Sequence, residues 1–170
     1  NDTLYAQPVN FAFEVALAEL WRSWGIEPVA VMGHSLGEYA AACVAGLISL
    51  DDGLRLTAAR GRLTHQHALE GAMAAVFAPE TVVRAVLASG DARLSIAAFN
   101  GPEHLVLSGP RDAVAAAEAR LVAAGVQVKP IRVPHGAHSQ QIDPVLAPFR
   151  DVLATVHFEA PQIELVSNVT

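Results

Sequence analysis

Gly33-His34-Ser35-Leu36-Gly37 is a G-x-S-x-G pentapeptide, the spacing at which a serine on a sharp strand-to-helix turn becomes a nucleophile. Each residue type has a physical task. The turn lifts Ser35 into a strained, exposed position, and the flanking glycines let neighbouring backbone approach closely. The amide of Leu36, at the start of the next helix, points at a developing oxyanion. A serine also needs a base, and seven histidines are available. His34 lies inside the turn, too close in sequence to be the obvious base. His65 and His67, two apart on a predicted helix, face different directions and read as surface residues. His104 and His157 are isolated and read as structural. His135-Gly136-Ala137-His138-Ser139 follows a predicted strand and contains glycine, so it reads as a loop at a strand end. On pattern alone either His138 or His135 is the candidate base. Their H-x-x-H spacing also admits a metal reading, but no cysteine or nearby carboxylate pair completes a ligand set, and no metal is expected.

The elements that must position these residues alternate between helix and strand. Residues 8–24 carry Phe11, Val15, Ala18, Leu20, Trp21 and Trp24 at helical spacing, and Gly25 ends the helix. Residues 28–32 form a short apolar run, the pattern of a strand buried on both faces of a parallel sheet. Helices are predicted over 36–45, stopped by Gly46, and from Ser49 to about residue 69, where Ser and Asp suit a helix start. The texture then changes. Strands over 72–77, 94–99, 104–108 and 126–133 alternate with helices over 79–88 and 110–124, and Asn100-Gly101-Pro102 marks a tight turn. That order is βαββαβ, a ferredoxin-like pattern. The expected fold class is α/β: a hydrolase-like core with a parallel sheet, formed by 1–70 and 131–170, with a small subdomain over 71–130 inserted in it.

Composition removes other classes. The chain has 170 residues, 52% apolar and 16% charged, with a positive mean hydropathy, so general disorder is excluded. The longest apolar run, residues 39–50, is broken by Gly46 and Ser49 and falls short of the roughly 20 residues a membrane span needs. A net charge of −6 and a single lysine, Lys129, leave no basic footprint for nucleic acid. The one cysteine, Cys43, excludes an internal disulfide and fits a reducing cytoplasm. The chain starts at Asn1 without a signal-peptide pattern, and residues 164–170 read as a strand entering a turn. Both ends are therefore read as cut from a longer polypeptide.

Gly33-His34-Ser35-Leu36-Gly37-Glu38-Tyr39-Ala40-Ala41-Ala42 resembles the active-site signature of malonyl-CoA:acyl carrier protein transacylases, and most closely the acyltransferase domains of modular type I polyketide synthases. The likeness covers the whole chain. Tyr5-Ala6-Gln7-Pro8, Leu20-Trp21, Trp24-Gly25, Ala58-Ala59-Arg60-Gly61-Arg62-Leu63, Gly71-Ala72-Met73-Ala74-Ala75-Val76, Asn100-Gly101-Pro102, Val106-Leu107-Ser108-Gly109 and Val166-Ser167-Asn168-Val169-Thr170 fall in the family's order and spacing. The resemblance implies that Ser35 is acylated and that His138 is the catalytic histidine. Leu36 then supplies one oxyanion amide. Arg60 matches the arginine that holds the free carboxylate of the extender unit, a task that suits a bidentate guanidinium. His34 is implied at that carboxylate or at the acyl carbonyl.

The same resemblance implies acyl-CoA as substrate and no bound cofactor. The phosphopantetheine thiol of an acyl carrier protein would be the acceptor, with a ketosynthase and linker in the same polypeptide. It also places the family's Gly-Gln-Gly strand, whose Gln is the second oxyanion donor, upstream of Asn1, and the segment that orients the histidine beyond Thr170. Leu36, His135 and Tyr5-Ala6-Gln7 resemble malonyl-selective members. Ala137 departs from them: it stands where they carry a Phe that blocks an α-substituent. Two rival classes share the elbow. A hydrolase needs a triad acid, and Asp112, the nearest upstream of the histidine loop, lies in the inserted subdomain. A non-catalytic scaffold module would have no use for Ser35, His138 and Arg60 together.

Overall fold

Asp2 starts the first helix, α1 (Thr3–Ser23), by accepting a 3.0 Å bond from the Leu4 amide. That cap begins the helix five residues before Pro8, the predicted start. Pro8 cannot bond the Leu4 carbonyl behind it. A second helix packs at that point: a Cβ on Gly61 would sit 3.1 Å from the Leu4 oxygen. In this computed structural model, residues 2–88 and 90–168 are described. The remaining elements are β1 (Ala30–Met32), α2 (Gly37–Val44), α3 (Leu50–His67), β2 (Ala72–Phe77), α4 (Glu80–Leu87), β3 (Ser95–Gly101), β4 (His104–Gly109), α5 (Arg111–Ala123), β5 (Gln127–Ile131), a short 3-10 turn over Gln140–Ile142, α6 (Asp143–Leu153) and β6 (Glu164–Val166). The predicted strand at the C-terminus is realised over β6; Val169 and Thr170 lie outside the described residues.

The chain divides into two units, residues 1–66 with 147–170, and residues 67–146. In the first unit β1 pairs in parallel with β6, Val31 opposite Leu165, as a two-stranded sheet. Gln7, Phe11 and Val15 form the buried stripe of α1, with Phe11 and Val15 packed against Ala40 of α2. Ser49 caps α3 by accepting from the Asp52 amide at 3.0 Å, and its hydroxyl donates to the Asp52 carboxylate. That bond is the leading reason the Asp52 carboxyl lies below its ordinary range.

One expectation is not met here. β1 is not buried on both faces: Val29 is 89% and Met32 67% exposed. Among the described residues β1 pairs with β6 alone. Leu20, Trp21 and Trp24, among the apolar positions at helical spacing, are exposed.

In the second unit, four strands form an antiparallel sheet in the order β3-β4-β2-β5. β4 lies between β3 and β2, and Leu105 through Gly109 are buried. Val76, Leu105 and Leu107 meet Val83 of α4 and Ala117 and Leu121 of α5 in one apolar core. The unit is wider than the 71–130 span read from the sequence because the loop after β5 folds back. The Leu69 amide donates to the Gln141 carbonyl at 2.9 Å, and the Gly71 amide to the Pro134 carbonyl at 3.3 Å.

Candidate active site

The elbow is built by four residues that turn β1 into α2. Ser35 takes φ +52°, a left-handed conformation that costs a non-glycine residue about 1–2 kcal/mol. Three bonds brace it: Gly37 to the His34 carbonyl at 3.0 Å, Glu38 to Ser35 at 3.2 Å and Tyr39 to Leu36 at 3.1 Å. Only one of the flanking glycines is sterically compelled. A Cβ on Gly33 would lie 2.1 Å from the Gly37 carbonyl carbon, whereas one on Gly37 would meet nothing nearer than Glu14 at 3.9 Å. Ser35 is half-buried rather than exposed, and His34 is exposed. Leu36 precedes α2 at φ −60°, so its amide is a first-turn donor with no acceptor inside the helix.

Asn168 was not among the sequence-derived site residues. Its side-chain amide donates to the Gly33 carbonyl, and its backbone amide donates to the Glu38 carboxylate at 3.0 Å. These bonds tie the elbow to the segment that follows β6. A groove of about 550 Å³ opens beside the elbow, walled by Glu14, Met32, Gly33, His34, Ala41 and Val44. Burial raises the Glu14 carboxyl above its ordinary value.

Arg60 sits half-buried on α3, in the same unit as the elbow. Its guanidinium donates to Gln7 Oε1 at 2.6 Å and lies 5.9 Å from the Tyr39 ring centroid. Gln7 is buried, and its Nε2 donates to Thr3 Oγ1 at 2.7 Å. That second bond fixes which end of the amide faces Arg60. Burial pushes the Tyr39 phenol up; the charge of Arg60 opposes the shift and that of Glu38 adds to it. Two glycines allow this approach of α1 to α3. A Cβ on Gly53 would strike the Phe11 ring at 2.4 Å, and one on Gly61 the Thr3 carbonyl at 2.8 Å. Arg22, Arg55, Arg84 and Arg93 all pair with carboxylates, whereas the partners recorded for Arg60 are an amide and a ring.

The histidine loop belongs to the second unit. His138 is exposed and takes φ +59°. Among the described residues, Ser35 and His138 are the two non-glycine positions with positive φ. His135 and Ala137 are half-buried. His135 bridges Glu70 in antiparallel fashion, and its buried Nδ1 has no hydrogen-bond partner. So Ser35, Leu36, His34 and Arg60 lie in one unit, and His135, Ala137 and His138 in the other.

The remaining candidates are occupied elsewhere. His65 lies 3.2 Å from Asp2, His157 lies 2.7 Å from Glu159, and His104 stacks on Phe77 with centroids 4.8 Å apart. Asp112 accepts from Arg93 at 3.0 Å, which lowers its carboxyl pKa. Burial pushes the Cys43 thiol up, away from nucleophilic use. Among the described residues no three His, Cys, Asp or Glu side chains group closely enough to hold a metal ion, and no helix is long and apolar enough to cross a membrane.

Residues 1–170 match the acyl transferase domain family. Mycoketide-CoA synthase of Mycobacterium tuberculosis is 48% identical over 170 residues, which are 100% of this chain and 4% of that synthase. Erythronolide synthase EryA2 of Saccharopolyspora erythraea is 49% identical over 139 residues, 82% of this chain and 4% of that protein. Among solved structures, the acyltransferase domain from the second module of the salinomycin polyketide synthase superposes with a TM-score of 0.95 at 46% identity, covering 100% of this chain and 40% of that one. The malonyl-CoA:ACP transacylase of Synechocystis sp. PCC 6803 superposes at 0.88 with 32% identity, covering 98% and 56%. The chain thus spans a small part of the synthases it matches and under half of the salinomycin domain.

Proposed function

The chain belongs to the acyl transferase domain family, and on that premise we propose that it carries the serine, the histidine and the carboxylate clamp of an acyltransferase that loads an extender unit, chiefly malonyl, onto an acyl carrier protein in polyketide synthesis. His138 takes the hydroxyl proton of Ser35 as the oxygen attacks the thioester carbon of the acyl-CoA. The Leu36 amide is one donor to the resulting oxyanion. The C–S bond breaks, CoA leaves with the proton held by the imidazole, and a serine ester remains. The phosphopantetheine thiol of the carrier protein then gives its proton to His138 and attacks the ester. Collapse returns the proton to Ser35 Oγ and leaves the acyl group on the carrier. A ketosynthase and linker in the same polypeptide complete the assembly.

The observation that carries this reading is the pair of left-handed residues. Backbone strain at a non-glycine residue persists where the surroundings over-determine it, and it clusters at functional sites. Here it falls on Ser35 and His138, the two residues to which the family resemblance assigns the chemistry. Arg60, held by Gln7 but lacking a carboxylate, supports recognition of a substrate carboxylate, with His34 beside the same acyl group. Ala137 and His135 bear on the α-carbon pocket, and the small Ala137 leaves room for an α-methyl. We read the first unit as part of a hydrolase-like core. The antiparallel order β3-β4-β2-β5 supports a ferredoxin-like reading of the second.

The test uses the complete acyltransferase domain, malonyl-CoA and a phosphopantetheinylated carrier protein. Transfer of malonyl to the carrier thiol, with release of free malonate slower than transfer, is expected. Release of malonate at the same rate with and without carrier would identify a hydrolase instead.

A further inference from the structure

The turn at Ser35 has two limbs, the end of β1 and the first turn of α2, and one residue from the far part of the chain bonds to both. We propose that Asn168 is a positioning residue for the nucleophile. Together with Glu38 it staples the strand limb to the helix limb, and so helps fix the backbone that carries Ser35 and the Leu36 amide. The proposal rests on the reading of Ser35 as the acyl acceptor.

Strand register brings Asn168 to the turn. β1 and β6 run parallel with Met32 opposite Val166, and Asn168 follows Val166 by two residues, as His34 follows Met32. A slip of one residue in that pairing would send the Asn168 side chain to the other face. The side-chain amide donates to the Gly33 carbonyl. The backbone amide donates to Glu38 Oε1 at 3.0 Å, and the side-chain nitrogen donates to the same oxygen at 3.4 Å. A primary amide has two hydrogens, one for each of these acceptors. Glu38 lies in the first turn of α2, where a carboxylate also faces the positive end of the helix dipole.

The staple adds a constraint that the turn's internal bonds do not supply. Those bonds, Gly37 to His34, Glu38 to Ser35 and Tyr39 to Leu36, run from α2 back as far as His34. Asn168 extends the hold to Gly33, on the strand side. The two limbs already touch: a Cβ on Gly33 would lie 2.1 Å from the Gly37 carbonyl carbon and 2.3 Å from the Glu38 nitrogen. A shift of one limb is therefore passed to the other. Ser35 sits between them at φ +52°, a conformation that persists where several contacts impose it together.

The test is single-turnover acylation by malonyl-CoA in the complete acyltransferase domain, followed over a range of malonyl-CoA concentrations. Asn168→Ala should lower the maximal acylation rate about ten-fold, short of the roughly hundred-fold loss from deleting an oxyanion donor outright. The half-saturating concentration should stay within about two-fold of wild type. Asn168→Asp keeps the size but turns oxygen toward both the Gly33 carbonyl and the Glu38 carboxylate, so it should lose more, about fifty-fold. Adding Glu38→Gln to Asn168→Asp replaces the second carboxylate with an amide donor and should recover about five-fold of that loss. A residue that only fills space would tolerate Asp better than Ala and show no recovery. Should Asn168→Ala fail to fold by circular dichroism, Asn168→Asp and its pairing with Glu38→Gln decide by the same measurement. Maximal rates within about two-fold of wild type in the Asn168 variants, losses confined to half-saturation, or no recovery from Glu38→Gln would overturn the staple. An acyl adduct mapped to a residue other than Ser35 would instead remove the reading on which the staple depends.

Discussion

In the unit of residues 67–146, Val76, Val83, Leu107 and Leu121 have no exposed surface, and β4 is covered on both faces. In the other unit Phe13 is 68% and Val29 89% exposed, and a groove lies open beside the nucleophile turn. Four antiparallel strands with two helices close one core from contacts along a short stretch of chain. The other unit, in a chain that spans 40% of the salinomycin domain, has two parallel strands among its described residues. The candidate site follows that division. Ser35 and Arg60 sit in the open unit and are placed by individual long-range bonds, Asn168 to Gly33 and Gln7 to Arg60. His138 sits in the closed unit, on the loop after β5 whose Pro134 carbonyl accepts from the Gly71 amide.

The contrast predicts unequal sensitivity to core mutations. Leu107→Ala should destabilise this chain by about 3–5 kcal/mol, the cost of a fully buried leucine, while Met32→Ala should stay within about 0.5 kcal/mol. Chemical denaturation followed by circular dichroism measures both. Equal losses would mean that the open unit is as tightly packed as the closed one, and the comparison fails.

Arg60→Ala probes the open unit's chemistry. Removing one partner of a charge pair to substrate is expected to cost malonyl transfer roughly 2–3 kcal/mol in kcat/KM. Acetyl transfer should change much less, since acetyl has no carboxylate. Equal loss for both acyl groups would make Arg60 a structural arginine.

Much of the closed unit was legible in the sequence. The strand over 72–77 and the turn at Asn100-Gly101-Pro102 rest on local pattern, and β2 (Ala72–Phe77) and the hairpin from β3 to β4 formed there. The strand-to-helix turn at Gly33–Gly37 was legible for the same reason, since its backbone geometry is set within five residues. The contacts that hold the site were not. Gln7 lies 53 residues from Arg60, and Asn168 lies 135 residues from Gly33, so no local periodicity announces either. The apolar run over 28–32 formed β1 (Ala30–Met32), while burial on both faces is not realised among the described residues. The half-buried Ser35 shows the same limit, because the turn fixes its backbone and more distant residues set its exposure.

The smallest predicted effect lies in the histidine loop. Ala137→Phe should suppress methylmalonyl transfer by about 1–3 kcal/mol, the range for a methyl group meeting a filled pocket, and spare malonyl transfer. Competition between the two CoA esters measures the ratio. If wild type already excludes methylmalonyl as strictly as the variant, other residues shape the α-carbon pocket.

The central claim is that the strained serine of the open unit is the acyl acceptor. Intact-mass measurement of the complete domain after brief exposure to malonyl-CoA tests it directly. A single malonyl adduct in the wild type, mapped to the peptide containing Ser35 and lost in a folded Ser35→Ala variant, is the predicted result. An adduct that persists in Ser35→Ala would contradict the account.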